Sequence, residues 1–286
     1  MTQTIPSTCI AKYYRDLPTS REARLDLAKS LLCDLSALAT CYADSVEAFA
    51  SYRNATDAGF YESRIERIPD PSALTRTLDL ALRLAALDGI AIINEGDCNA
   101  EGHLPPGVSR VPSDRLGFDY LDREIVPTRT TGNARFDDEK GTSSRAGLRL
   151  DLLLVAKDGR VPIIGEVKRK TDKDPFAALI QALACAAHLT TPGQYARLLH
   201  HDDRDLLIPL DGQVPPLDLY LILVGYPRDA THISDLFDAT RTLSQRLLAR
   251  TEINTTIRRI ACLEIELAGQ RLNTTSLFAY ERSSAT

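Results

Sequence analysis

The run LRLDLLLVAKDGRVPIIGEVK, residues 148 to 168, constrains the fold more than any other stretch of the chain. Leu148, Leu150, Leu152 and Leu154 alternate with Arg149, Asp151, Leu153 and Val155, the period of two of a mostly buried strand. Lys157-Asp158-Gly159-Arg160 is a turn signal between two apolar runs. Val161 to Val167 is the return strand. Pro162 has no N–H to give to a ladder, so it belongs near the start of that strand. A loop over 157 to 160 satisfies this and pairs Ala156 with Val161 and Val155 with Pro162.

Continued down the ladder, that register sets Asp151 opposite Glu166 and Arg149 opposite Lys168. All four project from one face, because side chains alternate with period two. Two carboxylates opposed on adjacent strands repel each other. Leu153, Val155 and Ile164 share the face and raise the desolvation cost. A hard divalent cation is the natural neutraliser: Mg²⁺ takes oxygen ligands from one or two carboxylates plus substrate phosphate. An ammonium at Lys168, two residues past Glu166, could orient a water or stabilise charge on phosphate oxygens.

Asp151 followed by Glu166-Val167-Lys168 on a hairpin resembles the PD-(D/E)XK nuclease superfamily, the restriction-endonuclease-like fold. The resemblance spans about residues 113 to 225, on a short motif, and Leu150 stands where the family often has Pro. It implies that Asp151 and Glu166 bind Mg²⁺, with Mn²⁺ as a substitute, and that the Val167 carbonyl is a further ligand. It implies that Lys168 serves phosphodiester hydrolysis in nucleic acid, DNA being the expected substrate. Some branches carry a Gln on the helix after this motif, which Gln181 resembles; a polar residue on an ordinary helix flank is the alternative. Members often place an additional metal-site Glu on a preceding helix. Glu124 is the candidate, and an acid in a salt bridge is its alternative. The other class of reading is a catalytically inactive module that keeps the fold and binds nucleic acid or a protein partner.

The rest of the chain neither demands nor excludes this. A net charge of −5 over 286 residues gives no global basic field. A local one is available from Arg129, Arg135, Arg145, Arg149, Lys168, Arg169, Lys170 and Lys173. Of these, Arg145, Arg149, Arg169, Lys170 and Lys173 are the candidate nucleic-acid contacts, with a solvated basic surface as the alternative. Six cysteines without CxxC spacing read as reduced thiols of a cytoplasmic protein. No apolar run is long enough to span a bilayer, and the first residues lack the layout of a signal peptide.

Apolar spacing predicts a helix over 20 to 52, capped by Ser20, and another over 70 to 88, closed by Gly89. Ile90 to Ile93 reads as a short strand. Residues 94 to 112 read as a loop between an N-terminal helical region, 1 to 94, and a nuclease-like domain, 95 to 286. The N-terminal stripe is expected in the core, or against a second copy or a protein partner. A helix is predicted from Ser113-Asp114 to Pro127, and a first strand around Ala134 to Asp137. Asp174 and Pro175 open a helix that carries Phe176, Ile180, Leu183 and Ala187 on one face. His200-His201-Asp202-Asp203 lie in a predicted loop and invite a metal reading, but adjacent residues on an extended chain point opposite ways and rarely chelate one ion. Leu217 to Tyr226 is a buried strand, Ile233 to Arg250 a helix, and 257–267 with 271–280 a hairpin. The expected fold is α/β: a restriction-endonuclease-like mixed sheet flanked by helices, with an N-terminal helical part.

Overall fold

Strand β5 (Leu150–Ala156) turns at 157–160 into β6 (Pro162–Arg169), with Gly159 at φ 95° and Arg160 at φ 54° making the tight reversal. Val155 pairs with Pro162, Leu154 with Ile163, Leu153 with Ile164 and Leu152 with Gly165, the register the turn length dictates. A computed structural model describes this chain over residues 8–50, 60–62, 76–96, 103–130, 148–169, 174–225, 231–268 and 271–283.

The hairpin is the centre of one mixed sheet. Before it come β1 (Phe60–Glu62), β2 (Asn94–Glu95), β3 (Val108–Arg110) and β4 (Phe118–Thr130); after it come β7 (Leu217–Val224), β8 (Ile257–Ala268) and β9 (Arg271–Arg282). The order is β1-β4-β5-β6-β7-β8-β9-β2, with β3 also on β9. Strands β6, β7 and β8 run parallel, and β4, β5 and β6 are antiparallel neighbours. Segments from both sides of position 95 share the sheet, since β1 pairs with β4 and β2 with β9.

Period two sorts the side chains into two cores. Leu153, Val155, Ile164, Leu219 and Leu221 face a thick helical layer. Leu152, Leu154, Ile163, Tyr220 and Ile222 face the other side, where α4 (Arg76–Ala86) supplies Leu80, Ala81 and Leu84. Gly89, at φ 87°, closes α4 by donating its N–H to the Leu84 carbonyl. In the thick layer α5 (Pro175–Leu189) lies on the sheet, and α1 (Cys9–Arg15) and α3 (Ser36–Ala50) lie on α5. Every residue of α5 is buried, which suits a helix apolar all round. Asp174 caps it by accepting from the Ala177 amide, and Pro175 occupies the first turn. Helix α2 (Arg21–Cys33) packs on α7 (Thr231–Leu248); α6 (Pro192–His201) and α8 (Thr251–Asn254) complete the layer.

Several sequence expectations are corrected. The predicted helix over 20–52 is two helices, broken where Asp34 accepts from the Ser36 amide at 2.8 Å. Its stripe survives the break, with Leu31, Leu35, Leu38, Tyr42 and Phe49 all buried within this chain. Ile90 makes a single bridge to Phe118, and the strand begins only at Asn94. The predicted helix from Ser113 to Pro127 is a short turn over Ser113–Arg115 followed by β4. The Ser113-Asp114 signal opens only that short turn, and β4 then runs on with a bulge, one extra residue against β5 between Tyr120 and Asp122. Finally, Cys9 and Cys41 form a disulfide, with Cα atoms 5.3 Å apart, instead of two reduced thiols. Only the packing of α1 on α3 brings them together. The strand expected around Ala134 to Asp137 lies outside the described residues.

No single helix among the described residues is long and apolar enough to cross a membrane. Helices α5 and α6 together are apolar enough, but they meet at 97° and α5 is buried throughout.

Candidate functional site

The site is built where β6 and β7 end, the edge at which open α/β sheets gather ligands. On β5–β6 the paired register stops at Leu152 and Gly165, and its next step sets Asp151 beside Glu166. On β4–β5, Arg123 pairs with Leu152 and Ile125 with Leu150, which leaves Glu124 opposite Asp151. Three carboxylates therefore stand abreast on three adjacent strands.

Their environments differ. Glu166 is fully buried, and its Oε2 has no hydrogen-bond partner among the described residues. Its Oε1 faces the Cys185 thiol of α5 at 3.9 Å. Burial, and then the neighbouring Asp151, push the Glu166 carboxyl well above the usual range. Asp151 accepts the Val167 amide at 2.8 Å through Oδ2. Burial pushes Asp151 up as well, opposed by Lys168 and the Val167 amide, and reinforced by the charge of Glu124. Burial raises both carboxyl groups and the charge of Asp151 raises Glu166 further, so the two titrations are coupled. The Cys185 thiol is raised for the same reason, burial first and Glu166 second, and stays protonated.

Of the two alternatives for Glu124, the structure shows the salt bridge. It is on a strand, not a helix, with a left-handed φ of 54°, a conformation that costs a non-glycine residue roughly 1–2 kcal/mol. Its Oε2 accepts from Arg149 at 2.6 Å, an ion pair, and its charge still reaches Asp151. Arg149 thereby lies on the site, and its carbonyl accepts from Gln181 Nε2 at 2.9 Å. Gln181 Oε1 in turn accepts from Lys168 Nζ at 3.2 Å and from the Tyr14 hydroxyl at 2.9 Å. Gln181 is thus the hub that fixes the lysine. Arg169 is on β6, though its side chain is not among those described; Arg145, Lys170 and Lys173 lie outside the described residues. His201 is spent on Asp122, at 2.5 Å.

Sequence reasoning missed the contribution of the N-terminal helices. Tyr14 reaches Gln181, and Arg24 of α2 donates to Asp174, the cap of α5. An open depression of about 310 Å³ beside Lys168 is lined by Tyr14, Arg15, Leu17, Arg24, Lys168 and Ala177. No local signal in the sequence ties residue 14 to residue 181. Cys185 could have been noticed, one helical turn beyond Gln181.

Among the described residues, no group of three or more His, Cys, Asp or Glu side chains is gathered as a metal cage. The orphaned, buried Oε2 of Glu166 beside Asp151 fits a different kind of occupant. A hard cation held by one or two carboxylates, with waters and a substrate phosphate completing its shell, needs no more protein donors than these. Compared with known proteins, the chain matches no family model, no curated protein and no solved structure.

Proposed function

We propose that the protein is a Mg²⁺-dependent nuclease that hydrolyses phosphodiester bonds in nucleic acid, with DNA the expected substrate, on a restriction-endonuclease-like core. The observation that carries this reading is the uncompensated pair. Glu166 is buried with one oxygen unpartnered, against a second carboxylate, and among the described residues the one ammonium bonded into the cluster belongs to Lys168. Stability alone does not explain keeping two acids there.

Asp151 and Glu166, with the Val167 carbonyl, are the groups that would hold Mg²⁺, or Mn²⁺ in its place. When bound, the ion supplies charge neutralisation at the phosphate and a more acidic water. The chain's own residues do the rest. The Val167 amide fixes the Asp151 rotamer. Gln181 holds Lys168 at the end of β6, where its ammonium faces developing charge on phosphate oxygens. Of the candidate phosphate contacts, Arg149 would have to exchange Glu124 for a phosphate, the Arg169 side chain is not among those described, and Arg145, Lys170 and Lys173 lie outside the described residues. A cytoplasmic location belongs to this reading; the Cys9–Cys41 bond weighs against it, because disulfides persist in oxidising compartments.

The second reading is the inactive module, binding nucleic acid or a protein partner; a net charge of −5, which gives no global basic field, favours the protein partner. Single-turnover cleavage of plasmid, linear duplex, single-stranded DNA and RNA, with Mg²⁺ and with Mn²⁺, separates the two. The nuclease reading expects cleavage by wild type and its loss in Asp151→Asn and Glu166→Gln. Lys168→Ala should lower the rate while metal-dependent stabilisation remains. If wild type cleaves nothing and its melting temperature ignores both ions, the inactive module replaces this reading.

A further inference from the structure

The depression beside Lys168 is walled by α1 and α2, segments to which the motif assigns nothing. We propose that it is a phosphate subsite: it takes a phosphate of the substrate strand other than the one being cut, with Arg15 as the contact. This rests on the nuclease reading and names how that site holds its strand.

Three observations converge on it. First, the charge is of one sign. Arg15, Arg24 and Lys168 line the space, and no acid is among the described lining residues. Second, the cations differ in availability. Arg24 is engaged by Asp174 and by the Pro18 carbonyl, and Lys168 by Gln181. Arg15 is exposed at the end of α1, facing the same space. Third, the wall is physically joined to the chemistry. The Tyr14 hydroxyl and Lys168 Nζ converge on one acceptor, Gln181 Oε1, at 2.9 and 3.2 Å. A strand whose phosphate sits at Arg15 is therefore positioned against Lys168 by a chain of two hydrogen bonds. At about 310 Å³ the space is at the small end of ligand pockets, which run from roughly 300 to 1,000 Å³, so it suits one sugar-phosphate unit more than a folded partner.

An internal phosphate and a terminal one present the same chemistry. The test uses the full chain and labelled single-stranded DNA in three forms: 5′-phosphorylated, 5′-hydroxyl and closed circular. Anisotropy is read across a KCl series with Ca²⁺ in place of Mg²⁺. Arg15→Ala should weaken binding about tenfold at low salt and flatten the slope of log K against log[salt] by about 0.7, the share of one phosphate contact on a single strand. A merely structural role would not move that slope. An equal effect on the circle assigns an internal phosphate, and an effect confined to phosphorylated ends assigns a terminal one. Arg204→Ala, an exposed cation beside the loop that follows α6, should leave affinity and slope unchanged. If Arg15→Ala keeps the wild-type slope while wild type cleaves, this inference is wrong and the nuclease reading stands. The inference also fails if Arg204→Ala flattens the slope as much as Arg15→Ala does. If wild type binds none of these strands, this inference falls, while the nuclease reading is decided by the cleavage panel above.

Discussion

The same strands carry a second cluster of buried charge, and the two are opposites. At the end where β6, β7 and β8 begin, Arg259 and Asp218 are fully buried. Asp218 is bonded by Arg258, at 2.6 and 2.9 Å, and lies 3.6 Å from Arg259. Asp158, in the β5–β6 turn, accepts from both arginines, and Glu281 accepts from Arg259 and Arg115. Three guanidinium groups face three carboxylates. At the other end, Glu124, Asp151 and Glu166 face Arg149 and Lys168, and the arginine is spent on Glu124. Both clusters require charges to be desolvated, but only one returns the loss through pairing. Compensated burial is structural. Uncompensated burial, at the edge where the parallel strands end, is the feature on which the nuclease reading rests.

The largest expected effect breaks the compensated cluster. Arg259→Ala would strand Asp158, Asp218 and Glu281 with one partner fewer, and Asp218 is fully buried. Loss of one partner from a buried network destabilises by about 3–5 kcal/mol. Urea unfolding followed by far-UV circular dichroism reads this directly. A loss below about 1 kcal/mol would mean that the network is no more than a set of surface pairs, and the contrast would collapse.

The next expectation concerns pH, where the two ends should differ in sign. Glu166 has a folded value raised above its unfolded one, near roughly 4.3. Its favourable contribution is complete below that value and is lost as pH rises toward the folded value, because the unfolded chain releases its proton first. Asp158 is lowered: burial opposes its ionisation, but the bonds to Arg259 and Arg258 outweigh burial. Its contribution is complete above roughly 3.9 and is lost as pH falls through the depressed value. Without divalent ions, Glu166→Gln should therefore gain about 1–3 kcal/mol at neutral pH, the scale of one unsatisfied buried group, and should flatten the loss of stability above about pH 4.3. Asp158→Asn should lose stability at neutral pH, with a deficit that shrinks in acid. Adding Mg²⁺ should stabilise wild type and not Glu166→Gln. A Glu166→Gln protein less stable than wild type at neutral pH would show that the carboxylate pair is compensated after all.

The clusters also differed in how far they could be read from the chain. The uncompensated pair was legible because it is local: a turn length, an alternation and a proline fix the β5–β6 register from adjacent residues. The cap at Asp174, the buried strand at Leu217 and the β8–β9 hairpin were legible for the same reason. The compensated cluster was not, since it joins residues 115, 158, 218, 258, 259 and 281, and no local pattern pairs them. Strand β4 was misread because Ser113-Asp114 has the local form of a helix cap, whereas the chain makes only a short turn there before the strand. Glu124 was nevertheless singled out, on resemblance alone, and the β4–β5 register then set it opposite Asp151 for a reason the sequence did not display. Cys9 and Cys41 are 32 residues apart, and only tertiary packing joins them.

The smallest expected effect sharpens the comparison at its boundary. The compensated cluster is held by many bonds from several strands. The uncompensated one touches the N-terminal layer through the Tyr14 hydroxyl on Gln181. Tyr14→Phe removes that oxygen and keeps the ring, so packing should survive and stability should fall by only about 0.5–1.5 kcal/mol, the net worth of one hydrogen bond. Gln181 Oε1 would then accept from Lys168 without that competitor, which holds the ammonium at least as firmly. The cleavage rate at saturating strand should accordingly change less than threefold, whereas Lys168→Ala should reduce it far more. If Tyr14→Phe lowers the rate as much as Lys168→Ala does, the tyrosine belongs to the chemistry and not to the wall, and the edge of the uncompensated cluster lies one residue further into α1 than Gln181 marks it.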